Sequence, residues 1–142
     1  MDERNPITQL KMFSVEEANQ LIPHLSTLIR QLQEKKNEIV RLETEIDLIE
    51  LLDEETRRAD LCQALENYEQ LGRDFYRLIE EIHGMGCVLK DLAAGRVDFY
   101  SVYQGRTIFL CWTLGEASIT SWLEIGKGDT FRRLLEPRKE PY

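Results

Sequence analysis

Between Leu21 and Ile82 the apolar residues recur in alternating steps of four and three, and this pattern constrains the fold more than any other part of the chain. Leu21, Leu25, Leu28, Leu32, Ile39, Leu42, Ile46 and Ile49 make one heptad seam, with Lys35 at its missing position. Ahead of it, Ser14 and Glu17 form a capping box: the serine side chain accepts the amide of residue 17, and the glutamate accepts the amide of residue 14. Pro23 cannot donate to the carbonyl of Asn19, so a kink or break is expected there, with Pro23 opening a longer segment. One helix over 23–52 would be about 45 Å long, too long to be wrapped by so small a domain, and should project as an arm.

Asp53-Glu54-Glu55-Thr56 falls where the seam loses phase and supplies capping residues, so the turn is placed there. A second seam follows at Leu61, Leu65, Tyr68, Gly72, Phe75, Ile79 and Ile82. Gly72 costs about 1 kcal/mol in helix propensity relative to alanine, which suggests close helix approach opposite Phe75 or Leu42. The two segments are expected to pair as a long, coiled-coil-like antiparallel helical hairpin. Ile29, Val40, Leu48, Leu51, Leu52 and Leu78 lie off the seams and would be exposed on an isolated hairpin. They point to a homodimer through the helices, a four-helix bundle across a twofold axis, unless the C-terminal part folds back over them.

That C-terminal part reads as strands. His83-Gly84-Met85-Gly86 ends the second helix, with Gly84 suited to the left-handed position and Gly86 to a tight reversal. Cys87 to Lys90 is a short strand, Val97-Asp98-Phe99 a strand or turn, and Gln104-Gly105 a turn into the stretch Arg106 to Glu124, which reads as a β-hairpin. The fold class is therefore α+β, a long antiparallel helical hairpin followed by a small antiparallel sheet. It is expected as a single domain: a loose arm over 1–12, the helical hairpin over 14–85, the sheet over 86–125 and a tail over 126–142.

Two-residue alternation puts Ile108, Leu110, Trp112 and Leu114 on one face of the first hairpin strand and Thr107, Phe109, Cys111 and Thr113 on the other. If Gly115 to Ser118 is a four-residue loop, Leu110 pairs with Leu123 on the core face, and Cys111 meets Trp122 while Phe109 meets Glu124 on the other. That second face could floor a pocket or simply pack on the helices.

Charge narrows the partners. Residues 14–85 hold 17 acids against 8 bases and residues 86–142 hold 7 against 8, so the helices carry the excess of the net charge of −8 and would repel a phosphate backbone. A nucleic-acid partner is not expected; its one foothold would be Arg132, Arg133, Arg138 and Lys139. No apolar run approaches the roughly 20 residues of a bilayer span, and no apolar leader is expected at the N-terminus, so a cytoplasmic protein without a membrane partner is the reading. Cys62, Cys87 and Cys111 form no CxxC pair and read as free, buried apolar residues.

The spacing of Gly86, Lys90-Asp91, Gly95, Asp98-Phe99, Gly105-Arg106, Leu110-Cys111-Trp112, Leu114-Gly115-Glu116 and Trp122 to Glu124 resembles the bacterial family of domains of unknown function numbered 2203. Phe13-Ser14-Val15-Glu16-Glu17-Ala18-Asn19 and Leu21-Ile22-Pro23 are similar to that family's opening motif. The resemblance implies no established activity, but it marks Lys90, Asp91, Asp98, Arg106, Cys111, Trp112, Glu116, Trp122 and Glu124 as candidate ligand or partner residues. The chain departs from the family pattern where Leu123 replaces a histidine between Trp122 and Glu124, and where Tyr100 replaces a proline after Asp98-Phe99.

No complete catalytic or cofactor motif is present, and no cofactor, metal or catalytic residue is assigned. His83, Cys87, Cys111 and Glu124 could be drawn as zinc ligands, but not at the spacing of a known module. A nucleophilic Cys111 would need a cationic neighbour, for which Lys90 and Arg106 are the candidates. Arg106 is expected to pair structurally with Glu116 or Asp98. The reading that follows is a non-enzymatic dimeric interaction module with a possible protein partner at the sheet; the alternative is a small-ligand or metal-binding protein, conceivably an enzyme, with its site at the junction of sheet and helices.

Overall fold

A computed structural model describes residues 11–126 and 132–135. Helix α1 (Val15–Gln20) begins at the capping box, with the Glu17 amide donating to Ser14 Oγ and the Ser14 amide to Glu17 Oε1, both at 3.0 Å. After a break at Leu21, α2 runs from Ile22 to Ile49, with Pro23 in its first turn, where a missing N–H leaves no intrahelical bond unmade. Helix α3 (Glu54–Gly84) is capped by Asp53, whose carboxylate accepts the Thr56 amide at 3.0 Å. α2 and α3 pack on each other, linked by His24 to Glu81 at 3.1 Å and by Tyr68 to Glu43 at 2.8 Å. Of the expected arm over 1–12, residues 1–10 lie outside the described residues.

On α2 every position of the predicted stripe is buried or half-buried. On α3 the pattern differs from expectation at two positions, Leu65 and Gly72, while Ile79 packs against the core as expected. Leu61, Tyr68, Phe75 and Ile82 face inward, but Ala64 and Leu71 fill the places between them, leaving Leu65 and Gly72 exposed. Both stripes fit a step of 3.5 residues, with Ala64 buried and Leu65 44% exposed. Nothing lies within 4 Å of a Cβ added to Gly72, so this glycine is not a close-approach residue. Gly72→Ala should therefore raise stability by about 1 kcal/mol in urea unfolding, through helix propensity and a less flexible unfolded chain.

The end of α3 also differs. Gly84 is still helical, Met85 closes the helix in the right-handed region, and Gly86 at φ +95° takes the left-handed position.

Five strands follow in a meander: β1 (Val88–Asp91), β2 (Arg96–Tyr103), β3 (Arg106–Thr113), β4 (Ser121–Glu124) and β5 (Arg133–Leu134), each antiparallel to the next. The fold is thus α+β, two long packed helices followed by a five-stranded antiparallel sheet. β2 is longer than the short strand or turn expected around Asp98, and β5 adds an edge where only a tail is expected. Gln104 and Gly105, both at positive φ, make the two-residue turn between Tyr103 and Arg106.

The β3 to β4 register is one residue away from the expected one. Leu110 pairs with Trp122 and Phe109 with Leu123, so Trp122 shares the core face with Leu110 while Leu123 joins Phe109 and Cys111 on the other face. A slip of one residue exchanges the faces of a whole strand. Its cause is a connection over 114–120 that is longer than a four-residue loop and held by its own contacts. Leu114 N donates to Gly95 O at 2.9 Å, Thr113 N to Glu116 Oε1 at 2.8 Å and Ile119 N to Asn19 Oδ1 at 2.8 Å.

One face of the sheet packs on the helices, where Val97, Phe99, Ile108, Leu110, Trp112 and Trp122 meet Leu25, Leu28, Ile29, Leu32 and Ile82. β1 pairs with β2 only as far as Asp98, and Phe13 occupies the edge beyond it. Its amide donates to Tyr100 O at 2.8 Å, Ser101 Oγ donates to its carbonyl at 2.6 Å, and its ring meets Phe99 edge-on at 5.1 Å. The opening motif is thus a clasp that ties the first helix to the sheet.

Candidate functional site

The other face of the sheet turns away from the helices and carries the polar chemistry. Arg96 and Asp98 alternate with Val97 and Phe99 along β2, so both point outward, side by side. Arg96 Nε reaches Asp98 Oδ1 and Arg96 Nη2 reaches Asp98 Oδ2, each at 3.0 Å, a bidentate pair in which Arg96 is 8% and Asp98 0% exposed. Arg96 Nη2 also lies 3.6 Å from Cys111 Sγ on the neighbouring strand. Phe109, Leu123 and Tyr100 pack around Cys111, with the rings of Tyr100 and Phe109 4.8 Å apart.

A cleft of about 590 Å³ opens above this pair. Its floor is Arg96, Asp98, Phe109 and Leu123, and its rim includes Lys90, Asp91, Thr113 and Arg132. A register shift between Leu89 and Asp91 turns both Lys90 and Asp91 toward it. Lys90 Nζ stands 4.9 Å from the centroid of the Phe109 ring, and Asp91 Oδ1 accepts the Ala94 amide at 3.1 Å.

The cysteines here are not activated. Burial above all, and then the Asp98 charge, push the Cys111 thiol up to about 12, against the opposing pull of Arg96 and Arg132. Cys87, whose Sγ donates to Ile82 O at 3.4 Å, is pushed up to about 11 by burial. Both stay neutral thiols at physiological pH and are poor nucleophiles. Cys62 is exposed, so iodoacetamide at pH 8 should label one thiol in native protein and three in denaturant, read by mass spectrometry. Because folding raises both buried thiols above their ordinary 9.0, the stability they contribute is complete below pH 9 and is lost as pH rises through about 11 and 12. Urea midpoints should fall across that window, and replacing both cysteines with alanine should flatten the fall.

The candidate residues separate into distinct places. Lys90, Asp91 and Asp98 line the cleft, and Cys111 lies in the cluster beneath it. Trp112 is in the core, with its indole Nε1 donating to Glu116 O at 3.0 Å, so Trp112 and Glu116 together hold the turn after β3. Trp122 lies on the core face against Tyr103, and Glu124 pairs at that face's margin with Arg106 at 3.2 Å. The expected patch of Cys111 beside Trp122 and Glu124 is thereby divided across the sheet. Arg106 pairs with Glu124 rather than Glu116 or Asp98, and the partner of Asp98 is Arg96.

Sequence reasoning missed Arg96, had Arg132 only as part of a basic tail, and placed Leu123 in the core, although it put Thr113 and Phe109 on the face that bears the cleft. The available signal was Arg96 two residues before Asp98, a spacing that puts opposite charges on one face of a strand. Among the described residues there is no group of three or more His, Cys, Asp and Glu placed to hold a metal ion, and no helix long and apolar enough to cross a membrane. Arg138 and Lys139 of the basic tail lie outside the described residues.

These features define an α+β protein in which a long helix pair backs a meander sheet, with a charged cleft on the sheet's free face. Residues 11–135 match the model of the family described as Uncharacterized conserved protein (DUF2203), and the chain belongs to that family. No curated protein and no solved structure matches it.

Proposed function

We propose that this protein is a non-enzymatic interaction module that works as a homodimer. α2 and α3 act as an antiparallel, coiled-coil-like hairpin whose far half pairs with that of a second copy in a four-helix bundle, leaving a sheet at each end to meet a partner. The observation that carries this reading is the exposure of Val40, Leu48, Leu51, Leu52 and Leu65 on the far half of the helix pair, with Leu51 81% exposed. Of the other off-seam residues, Ile29 and Leu78 pack against the sheet-side core, so the sheet covers the near half alone. The protonated state of Cys111 and the mutual neutralisation of Arg96 and Asp98 favour binding over catalysis. Three free cysteines suit a reducing compartment, in keeping with a cytoplasmic role.

Light scattering at micromolar concentration tests the reading. A mass of twice 16.7 kDa is expected, falling to the monomer in a Leu48→Lys, Leu52→Lys variant. A monomer mass for the unaltered chain would overturn it.

A further inference from the structure

We propose that the cleft on the free face of the sheet binds a small organic monoanion, a carboxylate carried on an aromatic or branched apolar body. Its volume of about 590 Å³ is that of a small-molecule site. Among the described residues the charges around it are unequal: Lys90, Arg96 and Arg132 against Asp91 and Asp98. Asp98 is saturated by Arg96, and Asp91 is engaged with the Ala94 amide. Among the described residues neither Lys90 nor Arg132 has a carboxylate partner, although both stand at the rim of a cleft in a protein of net charge −8.

The excess of one positive charge selects the ligand's charge. A dianion such as a phosphate monoester would gain from Lys90 and Arg132 but would face the two aspartates at close range, whereas a carboxylate balances the site. Phe109 and Leu123 on the floor, with the Tyr100 ring tilted against Phe109, supply the apolar surface for the rest of the molecule. The buried Arg96 to Asp98 pair fits this role better than a stabilising one. Such pairs add little net stability, but this one fixes the polar part of the floor beside its apolar part. The inference is independent of the dimer, because the cleft is built within one chain and the helices lie across the sheet from it.

Isothermal titration calorimetry of the full chain with phenylacetate, its neutral amide and inorganic phosphate tests the proposal. Saturable binding of phenylacetate is expected, weakened at least tenfold for the amide and for phosphate, and weakened equally by Lys90→Ala with Arg132→Ala. Both substitutions fall on exposed side chains, so the fold is retained, which circular dichroism checks. Absence of saturable phenylacetate binding into the millimolar range would overturn the proposal. So would equal binding of the amide, equal binding of phosphate, or indifference to the double substitution.

Discussion

Replacing Gly95 with alanine is expected to lower the unfolding free energy by about 3 kcal/mol, the sum of a left-handed backbone penalty and overpacking. Gly95 sits at φ +78° in the turn between β1 and β2, where its amide closes the turn onto Asp91 O at 2.8 Å. A Cβ there would lie 2.6 Å from Leu114 Cβ and 3.3 Å from Ile29 Cγ2, two positions with little room to retreat. The Gly95 carbonyl also accepts the Leu114 amide at 2.9 Å, so moving the turn away would loosen the connection that sets the β4 register. Thermal unfolding should shift down by roughly 10 °C for a chain of this size. A shift no larger than that of Gly105→Ala, which has positive φ but open space around it, would show that the contact with Leu114 is not what matters.

A second large effect is expected at Asp98. Asp98→Ala leaves the Arg96 guanidinium buried without its bidentate partner and should cost about 3–5 kcal/mol. Replacing both residues, Arg96→Met with Asp98→Leu, should recover most of that loss, because apolar pairs of similar volume commonly match or exceed a buried ion pair. Urea midpoints of Arg96→Met, Asp98→Leu and the double variant form the cycle that reads the coupling. Additive single losses would mean that the pair is not coupled as its geometry requires.

The helices were largely legible because their information is local and repeated. The capping box at Ser14 and Glu17, Pro23 in a first turn and Asp53 at a helix start each act within one turn of chain. The phase error on α3 arose where local information ran out. Hydrophobicity favours Leu65 over Ala64 as the inward residue, but Ala64 is the one buried. The sheet was less legible for the same reason. The β3 to β4 register depends on Asn19 and Gly95, each remote in sequence from the amide it bonds, and neither is visible in a hairpin read alone.

The candidate site inherited that error. With Trp122 moved to the core, its apparent partnership with Cys111 disappears, and Leu123 comes to floor the cleft instead. Leu123, not Trp122, thus lies on the surface that a ligand in the cleft would touch. The Leu114-Gly115-Glu116 and Trp112 positions, which stood out as possible chemistry, hold a turn in place.

The clasp at Phe13 has a consequence for how the protein is made. Phe13 bonds to Ser101, and Asn19 to Ile119, so the opening motif finds its partners only after β2 and the connection before β4 have been made. α2 and α3 are joined by a short turn and can pair while synthesis continues, but the opening segment must wait for β2 and β3 before the Phe13 side chain is buried. Closure therefore waits on the sheet, and one event seats the opening motif on strands that must already be paired.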